Sequence, residues 1–203
     1  MNLKRIPLVP SLVAFALLAL APDASAQLFK PRAVKRPSAY ISKQPPAKIN
    51  RGLESQITPE NSTVVVSLSQ QRAFLKIRDT DDVYIDTPIS SGKRSGMTPT
   101  GSFTVLEKDA DHRSSIYGDF VDRRSGRTVR SGISTKVDSA PAGTKYVGAP
   151  MKFFCRLTFT GVGMHVGILP GYPASHGCIR LPSDIAPLIY QKVKLGTPVS
   201  IIQ

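Results

Sequence analysis

Acidic residues are scarce in this sequence of 203 residues: 14 Asp and Glu stand against 27 Lys and Arg, for a formal charge of +13 at pH 7. Few carboxylates are therefore on hand to pair the cations, and the excess favours polyanionic neighbours. Long apolar runs are also missing. After the first thirty residues no apolar run is long enough to span a bilayer as a helix. Cysteine occurs twice, as Cys155 and Cys178, which allows one intramolecular disulfide at most. No cysteine follows the small residues near position 26, which excludes a lipid anchor on a mature N-terminal cysteine.

What is present suits one domain of ordinary size with a real hydrophobic core: 41% of the residues are hydrophobic. The first residues are ordered as in a secretory signal. Lys4 and Arg5 form the positive flank, Leu12 to Leu20 the apolar region, and Ala24-Ser25-Ala26 a small-residue cleavage site. Residues 1–26 are thus expected to be a signal peptide, with the mature chain starting at Gln27. The short apolar segment, followed at once by Pro22 and Asp23, argues against an uncleaved anchor. The expected location is a bacterial periplasm. There, acidic glycan, anionic lipid and other envelope polymers suit the positive charge better than nucleic acid.

From residue 27 to 60 the composition is basic and proline-rich, with prolines at 31, 37, 45, 46 and 59 and little periodicity. Such a segment buries too little apolar surface to fold alone and is expected to be a flexible tether. The folded domain, residues 61–203, opens with Thr63–Leu68, Arg72–Arg78 and Val83–Ser90, which read as an antiparallel meander. A fourth strand is expected over Ser102–Glu107. Lys108 to Ala149 reads as polar and irregular, a candidate lid or binding loop, with His112 at its surface. Met151–Phe159 and Val162–Leu169 read as buried strands. A helix capped by Ser183 is expected through Val193, and a last strand from Pro198 to Ile202. The expected class is mostly β with one short C-terminal helix.

The chemistry is concentrated between Gly163 and Pro182. This stretch holds His165, His176 and Cys178 among glycines and prolines, where the backbone must turn sharply. A cysteine is a nucleophile as its thiolate, and a nearby imidazole can take the proton. His165 and His176 both qualify by spacing. Gly177 permits close approach of backbone to substrate, and the Gly177 and Cys178 N–H groups are candidate oxyanion donors. Together these residues point to acyl transfer through a thioester on Cys178. A zinc site of His165, His176 and Cys178 lacks a carboxylate or fourth donor. A Cys155–Cys178 disulfide, the default for two exported cysteines, is disfavoured by their surroundings: Cys155 lies in an apolar run, Cys178 in a polar turn.

Ser175-His176-Gly177-Cys178-Ile179-Arg180, preceded by His165, resembles the signature of the L,D-transpeptidase catalytic domain, the YkuD-like family of bacterial wall enzymes. The resemblance runs from about Thr63 to Ile202 and includes Thr98-Pro99-Thr100-Gly101, Ala149-Pro150-Met151 and Gly196-Thr197-Pro198-Val199. It implies a β-sandwich of mixed sheets, with Cys178 as nucleophile, His165 as base and Gly177 at the oxyanion hole. Ser175, His176 and Arg180 would shape the loop or bind substrate. Arg180 stands where other members carry asparagine, and the interval from His165 to Cys178 is shorter than in many of them.

The implied reaction takes a peptidoglycan tetrapeptide stem, releases D-Ala, and passes the acyl group to an acceptor amine, with no metal or cofactor. The product is a stem cross-link or a link to a wall-anchored protein. Water as acceptor would make an L,D-carboxypeptidase, and a third reading is a catalytically silent wall-binding module of the same fold.

Overall fold

The structure is a computed structural model and describes residues 44–203. The expected signal peptide and residues 27–43 of the expected tether lie outside the described residues.

A six-stranded sheet carries the first half of the domain. Its strands are β1 (Lys48–Ile49), β2 (Ser62–Ser67), β3 (Arg72–Ile77), β4 (Val83–Pro88), β5 (Gly101–Thr104) and β13 (Pro198–Ile202), ordered β1-β4-β3-β2-β13-β5. The β2-β3-β4 meander is antiparallel, as its alternation predicts, while β13 returns parallel to β2. A four-stranded sheet is built from β6 (Glu107–Asp109), β10 (Phe154–Arg156), β11 (Gly163–Val166) and β12 (Ile179–Leu181), in the order β12-β11-β10-β6. The two sheets face each other across one core, where Val64, Leu75 and Ile85 meet Cys155, Met164 and Ile179. The helix α1 (Ala186–Lys192) closes that core with Ala186 and Ile189. The result is a mostly β sandwich of mixed sheets with one α-helix among the described residues.

Three expectations are corrected. The segment from 108 to 149 is not irregular: β7 (Arg113–Asp122), β8 (Thr128–Ser134) and β9 (Thr144–Pro150) form an antiparallel sheet in the order β8-β7-β9. Register shifts interrupt both of its pairings, and its buried side chains are few, chiefly Phe120, Val121 and Ile133. Bulges break period-two alternation, so the signal that betrays a strand was erased.

The tether is also shorter than its composition suggests. Lys48 and Ile49 pair with Asp86 and Ile85, and Ile57 is fully buried in the main core, so the fold reaches back beyond residue 61. Lastly, α1 starts at Ala186 rather than at Ser183. A turn carries residues 183–185, and Ile185 is the N-cap without a side-chain bond. Pro187 falls in the first turn, where a missing N–H costs nothing.

Candidate active site

Strand periodicity sets the site. β11 and β12 are parallel, with His165 opposite Arg180 and Met164 opposite Ile179. β10 runs antiparallel on the other side, with Arg156 opposite Gly163 and Cys155 opposite Met164. Alternate residues share a face. Met164, Cys155 and Ile179 therefore point into the core, while His165, Gly163, Arg156 and Arg180 take the opposite face, to which Cys178 also belongs, two residues before Arg180. That face opens into a cleft of about 1300 Å³, whose lining includes Cys178, His165 and Arg180 together with Tyr117 from β7.

The same register separates the cysteines. Cys155 and Cys178 are both free. Their strands are separated by β11, a Cα separation of about 10 Å, and their side chains take opposite faces. A disulfide requires less than about 7 Å. Burial pushes the Cys155 thiol up to about 12, partly opposed by Lys108, so it is a core residue and not a reactive one.

The turn bearing Cys178 is held by hydrogen bonds from three segments. The Ser175 hydroxyl, 2% exposed, donates to Cys178 O at 2.5 Å and accepts from Gly177 N at 3.0 Å. The Thr98 hydroxyl donates to Gly177 O at 2.6 Å and accepts from Gly92 N at 2.8 Å. Ser90 exchanges backbone bonds with Arg180, at 3.0 and 3.1 Å. Gly177 has φ +137, and a Cβ there would stand 2.8 Å from Met97 O. Glycine is required at that point both by conformation and by space. Because Ser175 already engages the Gly177 N–H, that expected oxyanion donor is occupied in this state.

His165 is 7% exposed, and its Nδ1 lies 2.7 Å from Val166 O. A carbonyl only accepts, so Nδ1 carries the hydrogen and Nε2 is left as the basic nitrogen. Burial lowers its pKa to about 4, against the bond to Val166 and with help from the Arg180 and His112 charges. The imidazole is therefore neutral at pH 7 and able to accept a proton. Burial likewise raises the Cys178 thiol, opposed by the Gly163 N–H and by Arg180 and Arg156. Its S–H is directed to Gly161 O at 3.6 Å. Burial thus favours the uncharged form of both groups, which line the same cleft.

The low His165 pKa has a consequence for stability. The unfolded chain takes up this proton near the ordinary value of 6.5 and the folded one only near 4. Stability from His165 is therefore complete above about pH 6.5 and is lost between about 6.5 and about 4, by about 3 kcal/mol in all. Urea unfolding of wild type and His165→Gln should show the wild type losing about that much more stability over this window. Equal acid sensitivity of the two proteins would refute the shift.

His176 makes different contacts. Its ring is exposed, stacks on Tyr117 with centroids 4.3 Å apart, and accepts from Lys93 Nζ at 3.0 Å through Nε2. Burial, Lys93 and Arg180 lower its pKa. It ties the turn to the β8-β7-β9 sheet through Tyr117, and it lines the same cleft as Cys178. Arg180 is half-buried, with Nη1 3.4 Å from Ile168 O. A Cβ on Gly167 would stand 2.6 Å from the Arg180 side chain, so that glycine makes room for the arginine.

His165, His176 and Cys178 do not form a metal-ligand cluster. Among the described residues, one such group occurs, Glu107, Asp109 and His112. Its carboxylates are already engaged: Arg156 pairs with Glu107, and His112 Nδ1 lies 3.1 Å from Asp109. His112, expected at the surface, is partly buried and stacks on Phe154.

The L,D-transpeptidase catalytic domain (YkuD) family model matches residues 61–201. The chain belongs to the L,D-transpeptidase catalytic domain family. Solved structures agree in fold. An L,D-transpeptidase from Mycobacterium smegmatis is 22% identical with a TM-score of 0.51, over 70% of this chain and 59% of that one. The LD transpeptidase LdtMt1 in complex with imipenem gives the same identity, TM-score and coverages. The chain thus spans 59% of the length of these relatives. No curated protein sequence matches it.

Within this L,D-transpeptidase domain, Thr98, Tyr117 and the Gly161–Gly163 segment escaped sequence reasoning. Thr98 sits in a Thr-Pro-Thr-Gly run that reads as turn chemistry, and its bond to Gly177 spans 79 residues. Tyr117 lies in the segment whose strands were hidden by bulges. The Thr98 run carries a signal through the family resemblance, but its bond to the Cys178 turn does not show in the sequence, and Tyr117 has no local signal of its contact with His176.

Proposed function

We propose that this chain is an exported, cysteine-dependent peptidoglycan L,D-transpeptidase acting in the periplasm. The observation that carries the reading is the shared face of the four-stranded sheet: Cys178 and a neutral His165 with its Nδ1 tied to Val166 O open into one cleft. Family membership supports the stem peptide as substrate.

In the proposed reaction, Cys178 Sγ attacks the carbonyl joining the L-centre of the diamino acid to D-Ala as His165 Nε2 takes the thiol proton. Neither group is charged beforehand, so proton transfer accompanies attack. The Cys178 N–H supports the oxyanion, and Gly177 N–H joins it on release from Ser175. The imidazolium returns its proton to the D-Ala nitrogen as the C–N bond breaks, D-Ala departs, and a thioester remains. An acceptor amine then attacks the thioester, its proton passes to His165, and the thiol is restored. The acceptor is a second stem or a wall-anchored protein.

The test is D-Ala release from a purified tetrapeptide stem, with the products separated by mass. A cross-linked dimer in wild type and no release in Cys178→Ala are expected. Release that continues in Cys178→Ala would sink the reading, and release without any amine adduct would convert it to a carboxypeptidase.

A further inference from the structure

The register of the four-stranded sheet sets one lateral row beside the nucleophile. Glu107 on β6 stands opposite Arg156 on β10, and Arg156 opposite Gly163 on β11. The parallel pairing that puts Met164 beside Ile179 carries the row on to Cys178, one residue before β12. Arg156 and Cys178 are therefore two strand spacings apart, about 10 Å between Cα atoms, and the residue between them has no side chain. A Cβ on Gly163 would meet the Phe154 ring at 2.4 Å and the Cys155 carbonyl at 2.5 Å, so nothing larger fits. Arg156 itself is fixed on three sides. Its Nε donates to Glu107, its guanidinium lies over the Phe154 ring, 5.3 Å from the centroid, and its Nη1 would stand 3.6 Å from a Cβ on Gly161. Gly161 O is also the acceptor of the Cys178 S–H. A held guanidinium thus stands against the turn that the sulfur touches.

Charged and titratable groups reach the surroundings of the sulfur from every neighbouring element. His165 on β11 and Arg180 on β12 share its face, and His176 lies in its turn. Across the cleft stand His112, Arg113, Tyr117 and Lys136, with Lys152 paired to Asp111. Burial raises the Cys178 thiol, and the Gly163 N–H, Arg180 and Arg156 oppose it. Arg180 also lies opposite His165 and adds to burial in discouraging its protonation, whereas β10 presents His165 with the Phe154 ring, centroids 6.4 Å apart. Arg156 is thus placed to aid the thiolate without opposing the imidazolium. We infer that Arg156, locked by Glu107, is a positioning residue for the nucleophile: its fixed charge stands across Gly163 from the sulfur and stabilises the negative charge that forms there during attack. The inference rests on the proposed role of Cys178 and deepens it. One cation at about 10 Å in a half-buried site displaces a titration by about one pH unit, and the Glu107 carboxylate subtracts part of that effect.

The pH profile of Cys178 alkylation by iodoacetamide, followed by intact mass from about pH 7 to about pH 10, reads this charge without any stem peptide, because only the thiolate reacts. Arg156→Gln should move the profile up by about one pH unit, and Arg156→Lys, which keeps the charge, should move it by less than half as much. Glu107→Gln keeps an acceptor for Arg156 but removes the opposing charge, so its profile should move down. Opposite directions separate a charge from a merely structural part, since loosening the site would displace both variants the same way. Arg130→Gln, outside the cleft lining and paired with Asp138, should leave the profile in place. An unmoved profile in Arg156→Gln, a shift in Arg156→Lys equal to that in Arg156→Gln, or an equal shift in Arg130→Gln would overturn the assignment. Should Arg156→Gln not fold, Glu107→Gln decides alone: a downward shift supports the assignment, and a rise or no change overturns it. With a tetrapeptide stem, D-Ala release by Arg156→Gln should be about three- to tenfold slower at neutral pH and should recover as pH rises. Alkylation shifts as expected with no acylation by any stem would defeat the proposed function and leave the part played by Arg156 standing.

Discussion

Replacing His165 with glutamine should lower acylation of Cys178 by about 10²–10⁴-fold, the usual worth of a positioned general base, while His176→Gln should cost less than about tenfold. The two histidines look interchangeable by spacing, and their environments differ. His165 is buried on the face that carries Cys178, with Nδ1 committed to Val166 O and Nε2 left to accept. His176 has its Nε2 against Lys93 and its ring on Tyr117, so taking a proton would oppose the lysine charge beside it. Losing His176 loosens a clamp; losing His165 removes the proton acceptor. Stopped-flow acylation by a carbapenem, read for both variants, checks the pair. A larger loss in His176→Gln than in His165→Gln would reverse their roles.

The second large effect is expected at Gly177. Alanine there must adopt φ near +137, where L-residues are strained by about 1–3 kcal/mol, and its Cβ would meet Met97 O at 2.8 Å. The clash is with backbone, so the turn and not a flexible side chain has to move. Movement breaks the 2.6 Å bond from Thr98 to Gly177 O and the Ser175 bonds that fix Cys178. A displacement near 1 Å at a reacting atom costs about 10²-fold in rate. Gly177→Ala should therefore acylate about 10²-fold more slowly and unfold at lower urea. Gly143→Ala is the control: φ is +74 there, but no atom lies within 4 Å of the added Cβ. It should lose about 1 kcal/mol of stability and keep its acylation rate. Similar acylation losses in both variants would mean that strain alone, not the approach of Met97, is responsible.

The legibility of this chain was uneven for physical reasons. The meander from Ser62 to Pro88 was readable because its strands alternate and their inward residues, Val64, Val66, Ala73 and Leu75, are fully buried. Cys178 was readable because a cysteine between glycine and isoleucine in a polar turn has little structural reason to be there. His165 was only half readable. Strand position and burial decide its tautomer and proton affinity, and neither is written in a thirteen-residue interval. The β8-β7-β9 sheet was illegible because bulges scramble its alternation. The N-terminal boundary was misplaced because Ile57 packs into the core from a proline-rich, basic context. Ser175 was expected to shape the loop, but its hold on Gly177 N–H emerged only from the fold.

The most direct test is an intact-mass measurement on the reduced protein after incubation with a tetrapeptide stem. One adduct equal to the stem less D-Ala is expected, mapped to Cys178 and absent from Cys178→Ala, with Cys155 unmodified because its thiol is buried and pushed up to about 12. No adduct on the fully reduced protein, or an adduct that persists in Cys178→Ala, would contradict it.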